Sequence, residues 1–421
     1  MPKGKIMATP MKNILILQGC PGSSKTTLVR QLGFEEFAIG FDRVRELFAG
    51  LSYDIDGFPV RALSTRNQKT AIAFAYAALE NRLKNGEFIV WDATVPDSRA
   101  LAHIVDRAVS YGYRIFLYNV QNGLTVEECI MRDETRRGTS AYVGPDVVRS
   151  FYERIEHFKV SDNRVTILNE LPSKIFDDAF ILPEIRPTTG GVWAIGDIHS
   201  CANALMKATS RIPDGDTIIL LGDLFDRGPD PVRVFEHLLQ LEERCHVHYV
   251  IGNHDEYLQA WAYNRSPIPA DTCLTVEKLE AAGITKKKIR QWFNARMSHA
   301  YRATINNKLY IFSHGGISRH YIDTLIAQNF TVRFPCRQFV IGASNRQFTY
   351  VNKCDYALTV FDDLCSDKAI QVFGHRNGKR SEQPRDPDFS RLILPLEHRV
   401  ENGGELISVN ITQQILYQDK N

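Results

Sequence analysis

Short apolar runs that end abruptly near glycine or aspartate recur along this chain, and they leave it few architectures to adopt. NILILQ (residues 13–18), FAIGF (37–41), FIVWDA (88–93), YRIFLYNV (113–120) and RVTIL (164–168) are too continuously apolar for half-exposed strands. Such runs suit a parallel sheet covered by helices on both faces. Between them, RNQKTAIAFAYAALENRLKNG (66–86) and SRALAHIVDRAVSYG (98–112) repeat their apolar residues at helical spacing and close near glycine. Residues 1–170 therefore predict one α/β domain. The next stretch, LPSKIFDDAFILPEIRPTTGG (171–191), carries three prolines and a Gly-Gly pair and reads as a linker. Alternation resumes with GVWAIGDIH (191–199) and TIILLGDLFDRG (217–228), so residues 192–421 predict a second α/β domain.

A chain of 421 residues is long enough to bury two such cores. Its 44% hydrophobic and 24% charged content is that of a soluble globular protein. Lys plus Arg (51) nearly balance Asp plus Glu (49), so a polyanion site must be local rather than spread over the surface. The eight cysteines form no C-x-x-C pair, which argues against a disulfide framework and a zinc-thiolate site. No stretch approaches the ~18 consecutive apolar residues of a membrane span, and the polar start MPKGKIMATP is no secretory segment. A cytoplasmic protein with no membrane partner is expected.

The first run of chemistry follows residues 13–18 directly. QGCPGSSKTT (18–27) almost matches the phosphate loop G-x-x-x-x-G-K-[ST], with Ser24 where glycine is usual. A loop between a buried strand and a helix aims backbone N–H groups at one point, and an anion is its natural occupant. Gly19, Gly22, Ser23, Ser24, Lys25, Thr26 and Thr27 are the candidate nucleotide-binding residues. Lys25 would reach the terminal phosphates of ATP and the Thr26 hydroxyl would bind Mg²⁺. Asp42 and Arg45, three residues apart in GFDRVREL, share one helix face. They can supply a base for an alcohol proton and a cation for a second phosphate. Taken alone, D-x-x-R is the spacing of a surface ion pair. Asp92 ends the strand VWD at the sheet edge where open α/β sheets bind ligands. RDETRRGTS (132–140) places Arg132, Arg136 and Arg137 before a helix, the pattern of an arginine-bearing lid.

Five further motifs occur in order in the second half: GDIHS, GDLFDRG, GNHDE, SHGG and FGH, across residues 196–375. Two divalent metals about 3.5–4 Å apart need hard oxygen and imidazole ligands converging from several strand ends. Asp197, His199, Asp223, Asn253, His314 and His375 supply that set, with Asp223 as the expected bridge. Arg227 can clamp a phosphate oxygen, and His254, oriented by Asp226, can protonate a leaving oxygen.

Residues 13–168 resemble the phage-type polynucleotide 5′-kinases, small relatives of adenylate kinase. Residues 192–411 resemble the calcineurin-like metallophosphoesterases of the phosphoprotein-phosphatase branch. The implied fold class is α/β, an adenylate-kinase-like P-loop kinase followed by a metallophosphoesterase sandwich. The resemblance makes Asp42 the general base, Arg45 a contact to the acceptor's 3′-phosphate and Arg137 the lid arginine. It gives the first domain ATP and Mg²⁺ and the second two divalent metals, with Mn²⁺ expected. In LEHRVENGGEL (396–406), Glu397 stands where relatives carry an aspartate.

A 5′-hydroxyl kinase joined to a metal-dependent phosphatase resembles the bacterial enzymes that heal broken RNA or DNA ends. Such an enzyme converts 5′-OH and 3′-phosphate or 2′,3′-cyclic phosphate into 5′-phosphate and 3′-OH. Sealing is expected to fall to a separate ligase, and a homo-oligomer is compatible with this reading. The alternatives are a phosphoprotein phosphatase fused to a small-molecule kinase, and a nucleotide-sensing P-loop half without catalysis. A sensor has no need of a base such as Asp42.

Overall fold

A computed structural model of the chain describes residues 12–53, 57, 59–170, 180–187, 190–265, 267–332, 337–343, 364–375, 387–390 and 392–421. Residues 12–170 form one compact unit, and the described residues from 180 onward form another.

The N-terminal unit is built on strands β1 (Asn13–Gln18), β2 (Ala38–Gly40), β5 (Ile89–Asp92), β6 (Arg114–Asn119) and β7 (Val165–Leu168), with a hairpin of β3 (Gly50–Tyr53) and β4 (Pro59–Ala62) apart from them. The main sheet runs β2-β5-β1-β6-β7 and every pairing in it is parallel. All six residues of β1 are buried, as a central strand covered on both faces requires. Leu17 stands opposite Asp92 on one side and Tyr118 on the other, so three strands finish together at one edge. Helices α1 (Lys25–Gln31), α2 (Phe41–Phe48), α3 (Thr65–Asn85), α4 (Ser98–Ser110), α5 (Val126–Glu134) and α6 (Pro145–His157) connect them. Local chemistry sets their ends. Ser64 accepts from Asn67 N and Asp97 from Ala100 N, while Thr125 and Glu128 cap α5 reciprocally. Ile14, Ile16, Ala71, Leu79, Trp91 and Ile104 belong to one core on a single face of the sheet. Each fully buried Ile or Leu there contributes about 1.5–3 kcal/mol. The five strands and the principal helices lie where the apolar runs predict; the hairpin does not appear in the sequence pattern, because its residues are almost all exposed and make no core.

The C-terminal unit stacks two sheets. One runs β11-β10-β9-β8-β16-β17, from β8 (Val192–Ile195), β9 (Thr217–Leu220), β10 (His246–Val250), β11 (Met297–Ser298), β16 (Leu406–Asn410) and β17 (Ile415–Asp419). The other runs β12-β13-β14-β15, from β12 (Ala300–Ile305), β13 (Lys308–Ser313), β14 (Ile370–Phe373) and β15 (Ile393–Pro395). Successive strand residues face opposite sides. Val192 and Ala194 accordingly join the core shared with Tyr310 and Phe312 of the second sheet, while Trp193 and Ile195 join a core with helical Leu205 and Leu238. Burial on both faces explains why these strands read as unbroken apolar runs.

Residues 171–179 and 188–189 of the expected linker lie outside the described residues. Residues 180–187 do not hang free as a linker would. Phe180, Leu182 and Ile185 are buried, Val332 N donates to Phe180 O, and Ile185 N donates to Arg302 O. Their two prolines mask three apolar side chains that seat the segment on the second unit.

Candidate active sites

In the N-terminal unit, β1 runs directly into the loop 19–24 and then α1. Gly22 has φ +80, and a Cβ there would lie 2.0 Å from the Cys129 carbonyl oxygen, so the turn admits no side chain. Ser24 also sits in the left-handed region, with φ 70 and ψ 26, at a cost of about 1–2 kcal/mol. That conformation is the reason glycine is usual at this place. Serine in turn gains a contact, since Arg132 Nη1 donates to Ser24 Oγ at 3.1 Å.

Lys25 Nζ donates to the Gly19 and Cys20 carbonyls, both at 2.9 Å, and lies 3.4 Å from Ser23 Oγ. Burial lowers the Lys25 pKa against the opposing pull of Asp92. Thr26 Oγ1 donates to Asp92 Oδ2 at 2.7 Å. Asp92 is buried, which raises its pKa, while Lys25 and Thr26 oppose that rise. A hydroxyl and a carboxylate touching beside a loop lysine fit the oxygen ligands that Mg²⁺ prefers. Thr27, by contrast, is exposed on the first turn of α1.

A cavity of about 380 Å³ opens from this loop, with Lys25, Thr26, Asp42, Arg45, Asp92 and Arg136 at its polar side. The helical spacing of α2 turns Asp42 and Arg45 toward the same space, as expected. Arg45 Nε is buried without a partner in the protein. Arg136 Nη1 lies 3.6 Å from Asp42 Oδ2. Arg137, expected to be the lid arginine, does not line the cavity. It pairs with Glu134 at 3.1 Å and lies over the Tyr142 ring. The i,i+3 spacing from Glu134 captures Arg137 and leaves Arg136 to face the cleft, a one-residue difference that the run RR conceals.

In the C-terminal unit the motifs close β8, β9, β10, β13 and β14 and meet at one end of the sandwich. Asp197, His199 and Asp223 offer ligand atoms within 4.8 Å of one another, and so do Asp223, His314 and His375. Asp223 belongs to both groups, the bridging position expected for it. Asn253 Oδ1 lies 3.3 Å from His314 Nε2, which is itself 3.3 Å from Asp223 Oδ2. His199 Nδ1 bonds the Phe225 carbonyl at 3.2 Å, and His314 Nδ1 bonds that of Leu221 at 2.8 Å. Both rings thereby keep Nε2 for a metal, the orientation that ligating histidines require. Two oxygen–imidazole triads sharing a carboxylate fit a pair of divalent cations.

The loops that hold these groups are strained. His199, Ser200, Asp223, Asp226, Arg227 and His375 all have positive φ between 43 and 70. Such conformations cost about 1–3 kcal/mol each and cluster where function over-determines them. A Cβ on Gly252 would lie 2.2 Å from Asp223 Oδ1, which explains the glycine of GNH.

Burial and the neighbouring Glu397 and Asp223 hold the Asp197 carboxyl well above the usual range. Burial acts on Asp223 in the same sense, but His314, His199 and His254 outweigh it and keep that carboxyl well below the usual range. His199 is pushed down to about 4 by burial, against Asp223. His254 is raised: burial opposes its charge, and the hydrogen bond to Asp226 with the Asp223 charge prevails. His254 Nδ1 meets Asp226 Oδ2 at 2.9 Å, and Arg227 donates to His199 Nε2 at 3.0 Å and to His254 Nε2 at 2.9 Å. The guanidinium therefore bridges the imidazoles on either side of the cleft.

Four supporting residues carry no sequence signal of their own. Thr272 donates to Asp226 Oδ2 at 2.6 Å, and Asp255 accepts from Gly252 N and Leu224 N, knitting two motif loops together. Glu401 Oε1 accepts from Arg227 at 3.2 Å. Glu397 is buried beside Asp197, and burial raises its pKa to about 7.

Residues 14–156 match the AAA domain family, and residues 191–389 match the calcineurin-like phosphoesterase family. A bis(5′-nucleosyl)-tetraphosphatase PrpE of Geobacillus sp. (strain WCH70) is 31% identical over 145 residues, 30% of this chain and 58% of that protein. A symmetrical bis(5′-nucleosyl)-tetraphosphatase of Bordetella pertussis (strain Tohama I) is 37% identical over 89 residues, 20% of this chain and 31% of the relative. This chain thus spans only part of those relatives' length. Among solved structures, a chain of the Pnkp1/Rnl/Hen1 RNA repair complex aligns at 17% identity and TM-score 0.30, covering 65% of this chain and 86% of that one. A metallophosphoesterase from Sphaerobacter thermophilus aligns at 16% identity and TM-score 0.32, covering 55% and 89%. This chain joins a P-loop domain of the AAA type to a domain of the calcineurin-like phosphoesterase family.

Proposed function

We propose that the chain heals broken nucleic-acid ends, phosphorylating a 5′-hydroxyl with ATP in its first unit and removing a 3′-phosphate or opening a 2′,3′-cyclic phosphate in its second. The observation that carries this reading is the partnerless Arg45 Nε beside Asp42 in the P-loop cavity. A P-loop that only sensed nucleotide would need neither a base nor a second cation on the acceptor side.

In the kinase reaction, Lys25 exchanges the loop carbonyls for the terminal phosphate oxygens of ATP. Thr26 and Asp92 hold Mg²⁺, which neutralises charge on those oxygens when bound. Asp42 accepts the acceptor's hydroxyl proton as the oxygen attacks the γ-phosphorus and ADP leaves. Arg136, 3.6 Å from that carboxylate, positions it, and Arg45 binds the acceptor's own phosphate.

In the phosphatase reaction, the two triads hold divalent cations, which neutralise the phosphoryl oxygens and acidify water when bound. Arg227 turns from the two imidazoles to the phosphate oxygens. His254 gives its Nε2 proton to the leaving oxygen, and Asp226, bonded to Nδ1 and fixed by Thr272, stabilises the charged ring before transfer.

The test is a 5′-OH, 3′-phosphate oligonucleotide with γ-labelled ATP and Mn²⁺, alongside diadenosine tetraphosphate and a phosphopeptide. Label at the 5′ end with phosphate release from the 3′ end supports the proposal. Hydrolysis of diadenosine tetraphosphate alone favours a nucleotidase like the PrpE relatives, and peptide dephosphorylation without label transfer favours a protein phosphatase.

A further inference from the structure

The P-loop cavity has a second half that phosphate chemistry does not use. Away from Lys25 it narrows between α3 and α4 over the Trp91 ring, and its walls there are Phe41, Ile72, Tyr76, Val95 and Ile104. The rings are ordered: Tyr76 lies 5.3 Å from Trp91 at an interplanar angle of 33°, and Phe41 meets Trp91 edge-on at 5.8 Å. Arg107 stacks on Tyr76 at 5.0 Å. Gln68 stands at the same cavity's wall.

The position of this slot says which ligand it serves. Phe41 adjoins Asp42 and Trp91 adjoins Asp92, so the slot opens beside the carboxylate assigned to the acceptor hydroxyl. It is on the β2–β5 side of the phosphate loop, the side that carries α2. An acceptor ending in bare sugar and phosphate would leave these aromatic walls wet. A flat heteroaromatic ring attached to the reacting sugar would bury them.

We propose that the slot takes the base of the terminal nucleoside whose 5′-hydroxyl is phosphorylated, an inference that rests on the end-healing reading of this cavity. Recognition is by stacking and apolar enclosure, which every base satisfies. The slot therefore selects for the presence of a base and discriminates weakly among the four. Asp42 and Arg45 then hold the hydroxyl and the 3′-phosphate of a nucleoside whose ring is already fixed.

The test compares 5′-OH oligonucleotides that differ only at the first residue: the four bases and an abasic tetrahydrofuran. The four bases should differ by only a few-fold in kcat/KM, and the abasic strand should fall about 10-fold or more, mostly through KM. Tyr76→Ala should bring the natural strands down to the abasic level while leaving the abasic strand's kcat/KM unchanged. Ile72→Trp, at a position 37% exposed and so tolerant of a larger ring, should close the slot with the same pattern. Trp91 is the one tryptophan of the first unit, so natural strands should also change tryptophan emission in Ile72→Ala protein and abasic strands should not. Equal kcat/KM for natural and abasic strands would overturn the slot and leave end healing standing. Failure to phosphorylate any strand would overturn both.

Discussion

Replacing Gly252 by alanine tests how tightly the second site is built. Gly252 has φ −95 and ψ 173, an extended conformation that alanine adopts freely, so backbone strain is not at issue. The added Cβ would lie 2.2 Å from Asp223 Oδ1 and 2.4 Å from Asp223 N, where real Cβ atoms keep at least 3.0 Å. The bridging carboxylate or its loop must therefore move by about 0.8 Å, whereas metal–ligand distances tolerate only about 0.2 Å. A displacement four times that tolerance, on the one residue common to both triads, should weaken metal binding by about 100-fold or more, beyond the 10- to 100-fold typical of outer-shell changes. Titration calorimetry with Mn²⁺ measures the affinity, and hydrolysis of a 3′-phosphorylated oligonucleotide reads the consequence. Gly283→Ala is the control, since φ is +74 there and nothing lies within 4 Å of the added methyl. It should cost about 1 kcal/mol of stability and leave metal affinity alone. If Gly252→Ala bound Mn²⁺ like the unsubstituted protein, the reasoning from close approach would be refuted.

Other outcomes follow from the same contacts. Lys25→Ala and Asp42→Ala should each abolish 5′ phosphorylation, by about 10²-fold or more, and leave 3′-phosphate release intact in a two-label assay. Arg136→Ala should lower the kinase kcat at least about 10-fold, whereas Arg137→Ala, whose side chain pairs with Glu134, should stay within about 2-fold; steady-state kinetics of the two variants decide between neighbours. His254 must be protonated to act as acid, and its pKa is raised above 6.5, so phosphatase kcat should fall as pH rises through that raised value. Asp226→Asn removes the hydrogen bond that helps raise it and should move this alkaline limb to lower pH in a pH–rate profile. A limb that stays in place would remove His254 from the acid role.

Much of this was legible because both architectures need continuous apolar strands, and strand ends are where the chemistry sits. NILILQ predicts β1 residue for residue, and the Gly-Asp endings of β8 and β9 mark the metal loops. Ligands were readable because a metal pair demands particular side chains at strand ends. What was hidden depends on distance in space alone. Thr272 reaches Asp226 across 46 positions, and Glu401 reaches Arg227 across 174, with no motif linking either pair. Arg136 and Arg137 are indistinguishable as letters, and only the turn after α5 decides which one Glu134 captures. The hairpin β3–β4 escaped because exposed strands leave no apolar period. Residues 180–187 misled through their prolines, whose breaking effect outweighed three apolar residues that the second core absorbs.

The most direct measurement follows both ends of one strand at once: an RNA oligonucleotide with 5′-OH and 2′,3′-cyclic phosphate, incubated with γ-labelled ATP and Mn²⁺ and resolved by mass. The account predicts a product carrying 5′-phosphate and lacking the terminal 3′-phosphate, with Lys25→Ala blocking only the first change and Asp223→Ala only the second. A strand returned unaltered at both ends, or either substitution silencing both reactions, would contradict it.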